Sequence, residues 1–378
     1  MIFMKFNFLK RALMHIFASQ YIIRGLWNLG PQRGLMGYKI WKLIDSRFLE
    51  NFSEAKQHLI CDIDKTYLET PFDSLVKFAQ IPFEKARHKI TVSGAKEVLQ
   101  SYRYAESERP LHFISASPPQ LRKVLSEKIT WDGLTWSSDT FKNQTYNLLQ
   151  GRFSQVKNQV AYKSAALLNL LIHMKSGSHL HMIGDNAESD PVIYLGSKLF
   201  LEGRLSRLSY YEYLRIFSVP RLEALQMLRH IKLTGLSVKT ILIRQLDGKE
   251  FPEQAPLTDP ILYFTNFFEM ALYLMEKRLI PLEHLSKLSH VFHTYYGVST
   301  AQMMHYLNDF SSSSDDVSVH ELTKVAMSQL HSKDLFSIDK KSRGLLRDRE
   351  LTEFSALKED EILKLAKEWK KKLRKEKY

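Results

Sequence analysis

Residues 58–64 have the sequence HLICDID, an apolar run that ends in two aspartates, Asp62 and Asp64. Such a run is typical of a buried strand whose carboxylates emerge at its C-terminal end. The same order recurs in residues 111–114 (LHFI), which lead to Ser115, and in residues 179–183 (HLHMI), which lead to Gly184 and Asp185. These three stretches predict three parallel strands with polar residues at one edge.

Helical patterns alternate with these strands. Two prolines open a helical stretch at residue 118, residues 159–174 carry apolar residues at helical spacing, and Asp190 followed by Pro191 begins another helix. Residues 94–104 predict a further helix, and residues 134–136 and 238–243 predict further strands. The alternation predicts an α/β fold with a doubly wound parallel sheet and helices on both faces.

The chain is long enough for more than one domain. We expect a basic amphipathic N-terminal segment in residues 1–50 and an α/β domain that contains these strands in residues 51–250, with a helical insertion near 205–235. Residues 260–279, 282–295, 300–309 and 317–330 have helical periodicity, which predicts a helical accessory domain over 256–378 that ends in a basic helix.

The composition, with 44% hydrophobic and 25% charged residues, is that of a globular protein and excludes wholesale disorder. The single cysteine, Cys61, excludes an internal disulfide.

The net charge of +13 is concentrated at the two ends of the chain. Residues 1–44 hold seven basic and no acidic residues, and residues 364–378 hold eight basic and two acidic residues. A nucleic-acid-binding protein should carry its charge on the folded domain, so no nucleic acid partner is expected.

No run of 18 apolar residues is present, so no transmembrane helix is expected, and the predicted location is cytoplasmic with peripheral contact to a membrane. The terminal helix allows two interpretations: its basic side lies on an anionic membrane surface, or the helix packs Trp369 on its own protein. Two interpretations, core packing or a lipid-facing wall, also apply to an aromatic cluster in the insertion, Tyr210, Tyr211, Tyr213 and Phe217.

Asp62 and Asp64 point to the same side of a strand unless the backbone turns, and two close carboxylates are unfavourable without a cation. Mg²⁺ is the obvious cation, because it prefers carboxylate and carbonyl oxygens and keeps substrate phosphate in its shell. Ligands of open parallel sheets lie beyond the carboxyl ends of the strands, so Ser115, Lys163 and Asp185 are expected to converge there with the two aspartates.

In this order the motifs DIDKT, FISAS, Lys163 and GDNAESD resemble those of the haloacid dehalogenase superfamily. More closely, SASP followed by GDNAESDPVIY is similar to the catalytic domain of the actin-patch type of phosphatidate phosphatase, over roughly residues 55–245. The resemblance implies a magnesium-dependent phosphatase that acts on a phosphorylated lipid. The family usually has an acid at Lys65 and a glycine-containing segment at residues 186–188, and lacks the insertion.

The resemblance implies a role for each site residue. Asp62 would be the nucleophile, Asp64 the general acid and base, Ser115 a donor to a phosphate oxygen, and Lys163 a counter-charge between phosphate and Asp62. Asp185 would bind Mg²⁺ together with Asp62 and the backbone carbonyl of Asp64.

Three further residues have less specific expectations. Asp190 either orients the metal shell or caps the helix that begins with Pro191, and neither is favoured. Ser117 is expected to be a helix cap rather than a catalyst, and Thr66 to hold its loop.

The spacing between motifs leaves little chain for a cap domain over the site, which favours a large or membrane-embedded substrate. Two other functions stay open: a phosphatase for a phosphoprotein or a polynucleotide end, and a non-catalytic membrane-associated scaffold that keeps the phosphatase fold.

Overall fold

The computed structural model describes residues 43–69, 85–105, 109–143, 159–229, 235–246, 260–330 and 356–375. Most of the predicted basic N-terminal segment, residues 1–42, therefore lies outside the described residues. So do residues 70–84 and 144–158, which belong to the two stretches where a cap domain would be inserted.

A seven-stranded sheet forms the centre of the described part of the chain. Two short strands, β3 (Leu68–Glu69) and β4 (Ile90–Thr91), pair separately. The strands of the large sheet are β1 (Ile44–Phe48), β2 (Gln57–Asp62), β5 (Leu111–Ser115), β6 (Ser138–Lys142), β7 (His179–Asp185), β8 (Ser237–Arg244) and β9 (Ile261–Phe264). Their order is β1-β6-β5-β2-β7-β8-β9, and every pair is parallel except β1 with β6.

The chain changes direction across the sheet at β2. It first builds β5 and β6 on one side of β2, and then crosses to build β7, β8 and β9 on the other side. Asp62 pairs with Ile114 on β5, and Cys61 pairs with Ile183 on β7, so the three strands end at the same edge. This is the switch point where ligands bind in doubly wound sheets.

Helices cover both faces of the sheet, and the strands between them are apolar because they are buried on two sides. One face carries α3 (Gln159–Leu171), α4 (Asp190–Leu201), α5 (Arg207–Ile216), α6 (Arg221–Arg229) and α11 (Glu359–Lys375). The other face carries α1 (Ala95–Arg103), α2 (Arg122–Trp131), α7 (Phe267–Glu276), α8 (His284–Tyr296), α9 (Thr300–Ser312) and α10 (Val317–Ser328). The predicted fold class is confirmed.

One predicted strand is wrong. Residues 134–136 precede the strand, which is β6, with the sequence SDTFK. All five residues of β6 are buried, including Asp139, whose carboxylate accepts hydrogen bonds from Arg47, Arg122 and Trp136. Hydrophobic periodicity cannot find a strand whose polar side chains are buried by distant partners.

The helical prediction for residues 260–279 is wrong at its start. Ile261–Phe264 is β9, which pairs with β8 in the central sheet, and the helix begins only at Phe267. The side chain of Asn266 caps it by accepting from the backbone N–H groups of Phe268 and Glu269. The apolar run ILYF fits a strand and a buried helix equally, so periodicity could not separate them.

The predicted N-terminal segment also contains a strand at its end, because β1 pairs antiparallel with β6. The domain limits, at 50, 250 and 256, stay predictions. β1 and β9 place residues from both outer segments in the same sheet as the motifs.

Helix α11 packs its apolar side on the protein itself. Ile362, Ala366 and Trp369 are buried, and the Trp369 ring lies 5.9 Å from the ring of Phe217, which follows α5. The packing of Trp369 on its own protein is therefore confirmed, and it leaves Lys367 and Lys371 of the basic side exposed. Within the described ranges, no helix is both long and apolar enough to pass through a bilayer.

Candidate active site

Asp62 is the last residue of β2 and is completely buried. The chain then turns sharply, with Lys65 in the left-handed region at φ 63°, and the N–H of Leu68 donates to the carbonyl oxygen of Ile63 at 2.9 Å. Thr66 lies within this turn, and its hydroxyl is 3.5 Å from Oδ2 of Asp62. The turn separates the two carboxylates of the motif, which a continued strand would place side by side.

Asp64 faces the end of β5. Its Oδ2 accepts hydrogen bonds from the hydroxyls of Ser115, at 2.8 Å, and Ser117, at 3.0 Å. The Ser115 hydroxyl oxygen also accepts the backbone N–H of Ser117. The expectation that Ser117 is a helix cap is wrong: the short helical turn that follows has Pro118 at its N-cap position and no side-chain cap. Ser117 instead shares with Ser115 the task of holding Asp64.

Lys163 projects from the second turn of α3 and is 1% exposed. Its Nζ lies 2.7 Å from Oδ1 of Asp62, 2.5 Å from Oδ1 of Asp190 and 3.2 Å from Oε2 of Glu188. One buried ammonium thus contacts three carboxylates that come from different strands and loops. A single ammonium can offset the charge of one carboxylate, so Lys163 alone does not neutralise the three groups that it contacts.

Asp185 ends β7, and its Oδ1 accepts the backbone N–H groups of Ala187, at 2.6 Å, and Glu188, at 3.2 Å. Asp190 begins α4, but the N-cap position belongs to Ser189. The Asp190 carboxylate accepts from Lys163 and from the backbone N–H of Asp185, at 3.3 Å. The capping interpretation of Asp190 is therefore wrong, and its side chain belongs to the acidic cluster.

Gly184 makes room for this arrangement. A Cβ at position 184 would lie 2.4 Å from Oδ2 and 2.6 Å from Cβ of Asp190. Since contacts below 3.0 Å require something to shift, only glycine allows Asp190 to approach β7 in this position. The glycine of the motif GDNAESD is thus required by packing inside the site.

Burial and mutual repulsion shift the carboxyl groups of the cluster. Burial raises the pKa of Asp62, and Lys163 partly opposes the shift. Burial, together with Asp190 and Glu188, raises the pKa of Asp185 to about 8. Burial disfavours the charge of Lys163, but Asp190, Asp62 and Glu188 outweigh it and raise the pKa of that ammonium. The site therefore holds more negative charge than its own residues stabilise.

The acidic cluster fits a hard divalent cation. Asp62, Asp185 and Asp190 are buried, and each offers a carboxylate oxygen within 4.8 Å of the other two. Oδ2 of Asp185 is buried without a hydrogen-bond partner among the described residues. A carboxylate oxygen without a hydrogen-bond partner, next to two further carboxylates, provides the type of oxygen ligands that Mg²⁺ prefers. The side chain of Asp64 lies outside this group of three.

Sequence reasoning missed two residues that contact the site. Glu188 was part of the motif but had no predicted role, and it contacts Lys163. The hydroxyl of Tyr162 donates to the backbone carbonyl oxygens of Ser115 and of Thr140, the latter at 3.0 Å, and so ties α3 to β5 and β6. For Glu188 the signal was its position inside the motif, whereas nothing in the sequence distinguished Tyr162.

The aromatic cluster of the insertion is not a lipid-facing wall. Tyr210, Tyr213 and Phe217 are buried in the core between α4, α5 and α11, and Tyr211 is partly buried against the same core. Cys61 is also buried, on the opposite side of β2 from Asp62, as alternation along the strand requires.

A comparison with protein families tests the resemblance. Residues 57–199 match the phosphatidate phosphatase APP1 catalytic domain. The matched range contains Asp62, Asp64, Ser115, Lys163 and Asp185, and the resemblance to the actin-patch type of phosphatidate phosphatase is confirmed. No curated protein and no solved structure matches the chain.

The matched family is that of a phosphatase-type enzyme and implies a phospholipid substrate. The residues that converge at the edge of the sheet agree with such an activity: buried carboxylates at the ends of β2 and β7, hydroxyls at the end of β5 and an ammonium from α3.

Proposed function

We propose that the chain is a magnesium-dependent phosphatase of the haloacid dehalogenase type that hydrolyses phosphatidate to diacylglycerol and phosphate. The observation that carries the proposal is the contact of Lys163 with Asp62 and Asp190, next to Asp185, at the switch point of the sheet. An ammonium between the would-be nucleophile and the other carboxylates lowers the repulsion that an incoming phosphate meets.

In the first step, a carboxylate oxygen of Asp62 attacks the phosphorus atom, and the bond between phosphorus and the glycerol oxygen breaks. Asp64 donates a proton to that oxygen, so that diacylglycerol leaves as a neutral alcohol. The two serine hydroxyls on Oδ2 of Asp64 fix the orientation of this carboxyl group. The product that remains is a phosphoryl group on Asp62.

In the second step, Asp64 takes a proton from a water molecule, whose oxygen attacks the phosphorus. The bond between phosphorus and Asp62 breaks, and inorganic phosphate leaves. Lys163, whose Nζ lies 2.7 Å from Oδ1 of Asp62 in the structure, offsets the charge that returns to this carboxylate. Each carboxyl group ends in the state in which it began.

Asp62, Asp185 and Asp190 would hold the Mg²⁺ ion, with the backbone carbonyl of Asp64 as a further ligand implied by the family. When bound, the ion supplies positive charge that offsets the negative charge of the cluster and of the substrate phosphate. A substrate embedded in a bilayer also requires contact with the membrane surface, and we propose that this contact is peripheral and occurs from the cytoplasmic side.

The experiment compares phosphate release from phosphatidate vesicles, a soluble phosphopeptide and a 5′-phosphorylated oligonucleotide, each with and without Mg²⁺. We expect turnover of phosphatidate only, and only with Mg²⁺. Asp62→Asn should lower this turnover at least about a thousandfold. The matched control is Asp315→Asn, at an exposed aspartate outside the site, which should leave turnover unchanged.

Equal or faster turnover of the soluble substrates would refute the lipid assignment. Unchanged turnover by Asp62→Asn would refute the nucleophile, and the absence of turnover on all three substrates would favour the scaffold interpretation.

A further inference from the structure

The insertion helices and the terminal helix together form one side of the molecule. Helix α5 contacts both α11 and α6. Six exposed residues define what we name the α5–α6–α11 surface: Arg215, Arg221, Leu222, Leu225, Lys367 and Lys371. Its leucines are the unusual members, because Leu222 is 60% and Leu225 is 42% exposed.

One end of this surface lies at the catalytic edge of the sheet. Helix α4 starts at Asp190 in the site, and α5 runs back along it: the ring of Tyr210 stacks on Phe200, near the end of α4, and the hydroxyl of Tyr213 donates to the carbonyl of Val192, near its start. The C-terminal end of α5 therefore lies at the level of the site.

The basic end of α11 lies at the same level. Trp369 packs on Phe217, just after α5, and Nζ of Lys370 lies 2.9 Å from Oγ of Ser218. Helix α6 begins at Arg221, three residues after Ser218. The start of α6 and the last turns of α11 thus flank the end of α5 nearest the site.

Charge is separated along α11 in the same direction. Its first turn is acidic, with Glu359, Asp360 and Glu361, and Glu359 accepts the backbone N–H of Ser206 at the far end of α5. Lys367 and Lys371, one turn apart and both exposed, follow towards the catalytic edge. The end of the helix nearest the site is therefore the cationic end.

We infer that the α5–α6–α11 surface is the part of the molecule that contacts an anionic lipid bilayer. Exposed leucines among arginines and lysines match a lipid surface, since the apolar side chains enter the boundary of the acyl chains and the cations stay with anionic headgroups. The inference rests on the proposed lipid phosphatase function, because a bilayer held at this edge presents its headgroups to the site.

The buried side of α11 determines which residues of this helix can face the membrane. Since Ile362, Ala366 and Trp369 are used by the protein core, the helix offers the membrane its cationic side and not its apolar side. The apolar contribution comes from Leu222 and Leu225 on α6.

The test is co-sedimentation of the whole chain with phosphatidylcholine vesicles, with and without phosphatidylserine, which is not a substrate. We expect binding to the anionic vesicles that weakens with salt. Lys367→Gln with Lys371→Gln should weaken it about tenfold. Leu222→Ser with Leu225→Ser should also weaken it about tenfold.

The matched controls are double variants at exposed residues of α8 and α10. Lys287→Gln with Lys324→Gln is the control for the charges, and Val317→Ser with Val325→Ser is the control for the apolar residues.

Unaltered vesicle binding by both variants, or no binding by the wild-type chain, overturns the inference. So does a wild-type dimer that the leucine variant converts to a monomer, because the leucines would then belong to an interface between two copies. Phosphate release from a short-chain, monomeric phosphatidate separates this failure from failure of the proposed function. Variants that lose vesicle binding should keep that release, whereas a wild-type chain that binds vesicles without any release would refute only the phosphatase activity.

Discussion

The strands that carry the acidic cluster at one end carry a second buried polar group at the other. At the C-terminal ends, the carboxyl groups of Asp62 and Asp185 lie close to the Lys163 ammonium of α3, and at least one carboxylate oxygen lacks a hydrogen-bond partner in the described structure. Near the N-terminal ends, His58 on β2 and His112 on β5 are also buried, but they are fully hydrogen-bonded to each other and to neighbours.

The hydrogen bonds of the two histidines form a chain, and a single assignment of donors and acceptors satisfies every bond in it. Nε2 of His58 donates to the carbonyl oxygen of Ala55, which can only accept, so Nδ1 accepts from Nε2 of His112 at 3.1 Å. Nδ1 of His112 then accepts from the hydroxyl of Ser138 at 2.8 Å. Both rings are neutral, and burial lowers the pKa of His58 to about 4. In this molecule the two buried polar groups therefore differ in kind: hydrogen bonding is incomplete in the acidic cluster, as is typical of a functional site, and complete in the histidine pair.

The sharpest way to test this contrast is to remove the cation of the acidic cluster. Lys163→Met should lower turnover of phosphatidate at least about a thousandfold and lower the free energy of unfolding by about 3 kcal/mol, because the buried carboxylates of Asp62 and Asp190 lose the ammonium that contacts them. Lys175→Met, which removes an exposed pair with Glu54, is the control and should cost less than about 1 kcal/mol without loss of turnover. Equal effects of the two substitutions on turnover and on denaturant unfolding would mean that the buried carboxylates do not depend on Lys163.

Replacing one acid of the cluster should separate activity from stability. In Asp185→Asn, Oδ1 can still accept from Ala187 and Glu188, and the cost of burying an acid beside Asp190 and Glu188 is removed. We expect turnover to fall about a hundredfold or more, the metal-free melting temperature to rise by a few degrees, and the stabilisation by Mg²⁺ to disappear. Thermal unfolding with and without Mg²⁺ measures this. A lower metal-free melting temperature would mean that burial of the Asp185 carboxyl group does not destabilise the metal-free protein.

Crowding the cluster should also reduce activity. Gly184→Ala places a Cβ against Asp190 and should cost about 1–3 kcal/mol of unfolding free energy and about tenfold in turnover, because Asp190 must shift away from Asp185. The control Gly203→Ala has open space around its Cβ and only a positive φ to oppose it, so it should cost about 1 kcal/mol and no activity. Loss of turnover in Gly203→Ala but not in Gly184→Ala would refute the claim that a Cβ at position 184 disturbs the site by displacing Asp190.

The smallest effect concerns the histidine chain and depends on pH. The unfolded chain binds a proton at His58 below about pH 6.5, whereas the folded chain does so only near pH 4, so stability falls as the pH drops through this window. The contribution of His58 to the loss between pH 7 and pH 5 is about 2 kcal/mol.

His58→Gln should therefore be somewhat less stable than wild type at pH 7, since the hydrogen bonds change, but lose less stability on acidification. Denaturant unfolding at both pH values measures the difference. His290→Gln, at an exposed histidine, should follow the wild-type pH dependence. A parallel decline of His58→Gln and wild type would mean that the ring is not held neutral.

The sequence predicts those parts of the fold in which local pattern and tertiary environment agree. Strand β2 is an apolar run that is buried on both faces, and its pattern locates Asp62 correctly. Strand β6 is polar, and its buried Asp139 is paired with Arg47 and Arg122, which reach it from distant parts of the chain. No window of sequence contains that information.

The same division holds for the site. The strand ends place Asp62, Ser115 and Asp185 at one edge, which any parallel sheet requires. The partners of individual atoms depend on loop geometry: the left-handed residue Lys65 turns Asp64 towards Ser117, and the loop after β7 brings Glu188 to Lys163. Such turns follow from packing and not from residue type alone.

The pairing of β7 with β8 has a practical consequence for any fragment of this protein. Residues 179–185 of β7 pair along their whole length with β8, and the residue paired with Asp185 is Arg244, which lies beyond the range matched by the family. A fragment cut at residue 199 would leave the backbone of β7 as an open edge, with unpaired N–H and C=O groups that invite aggregation. The range that matches the family is therefore shorter than the unit that can be expected to fold.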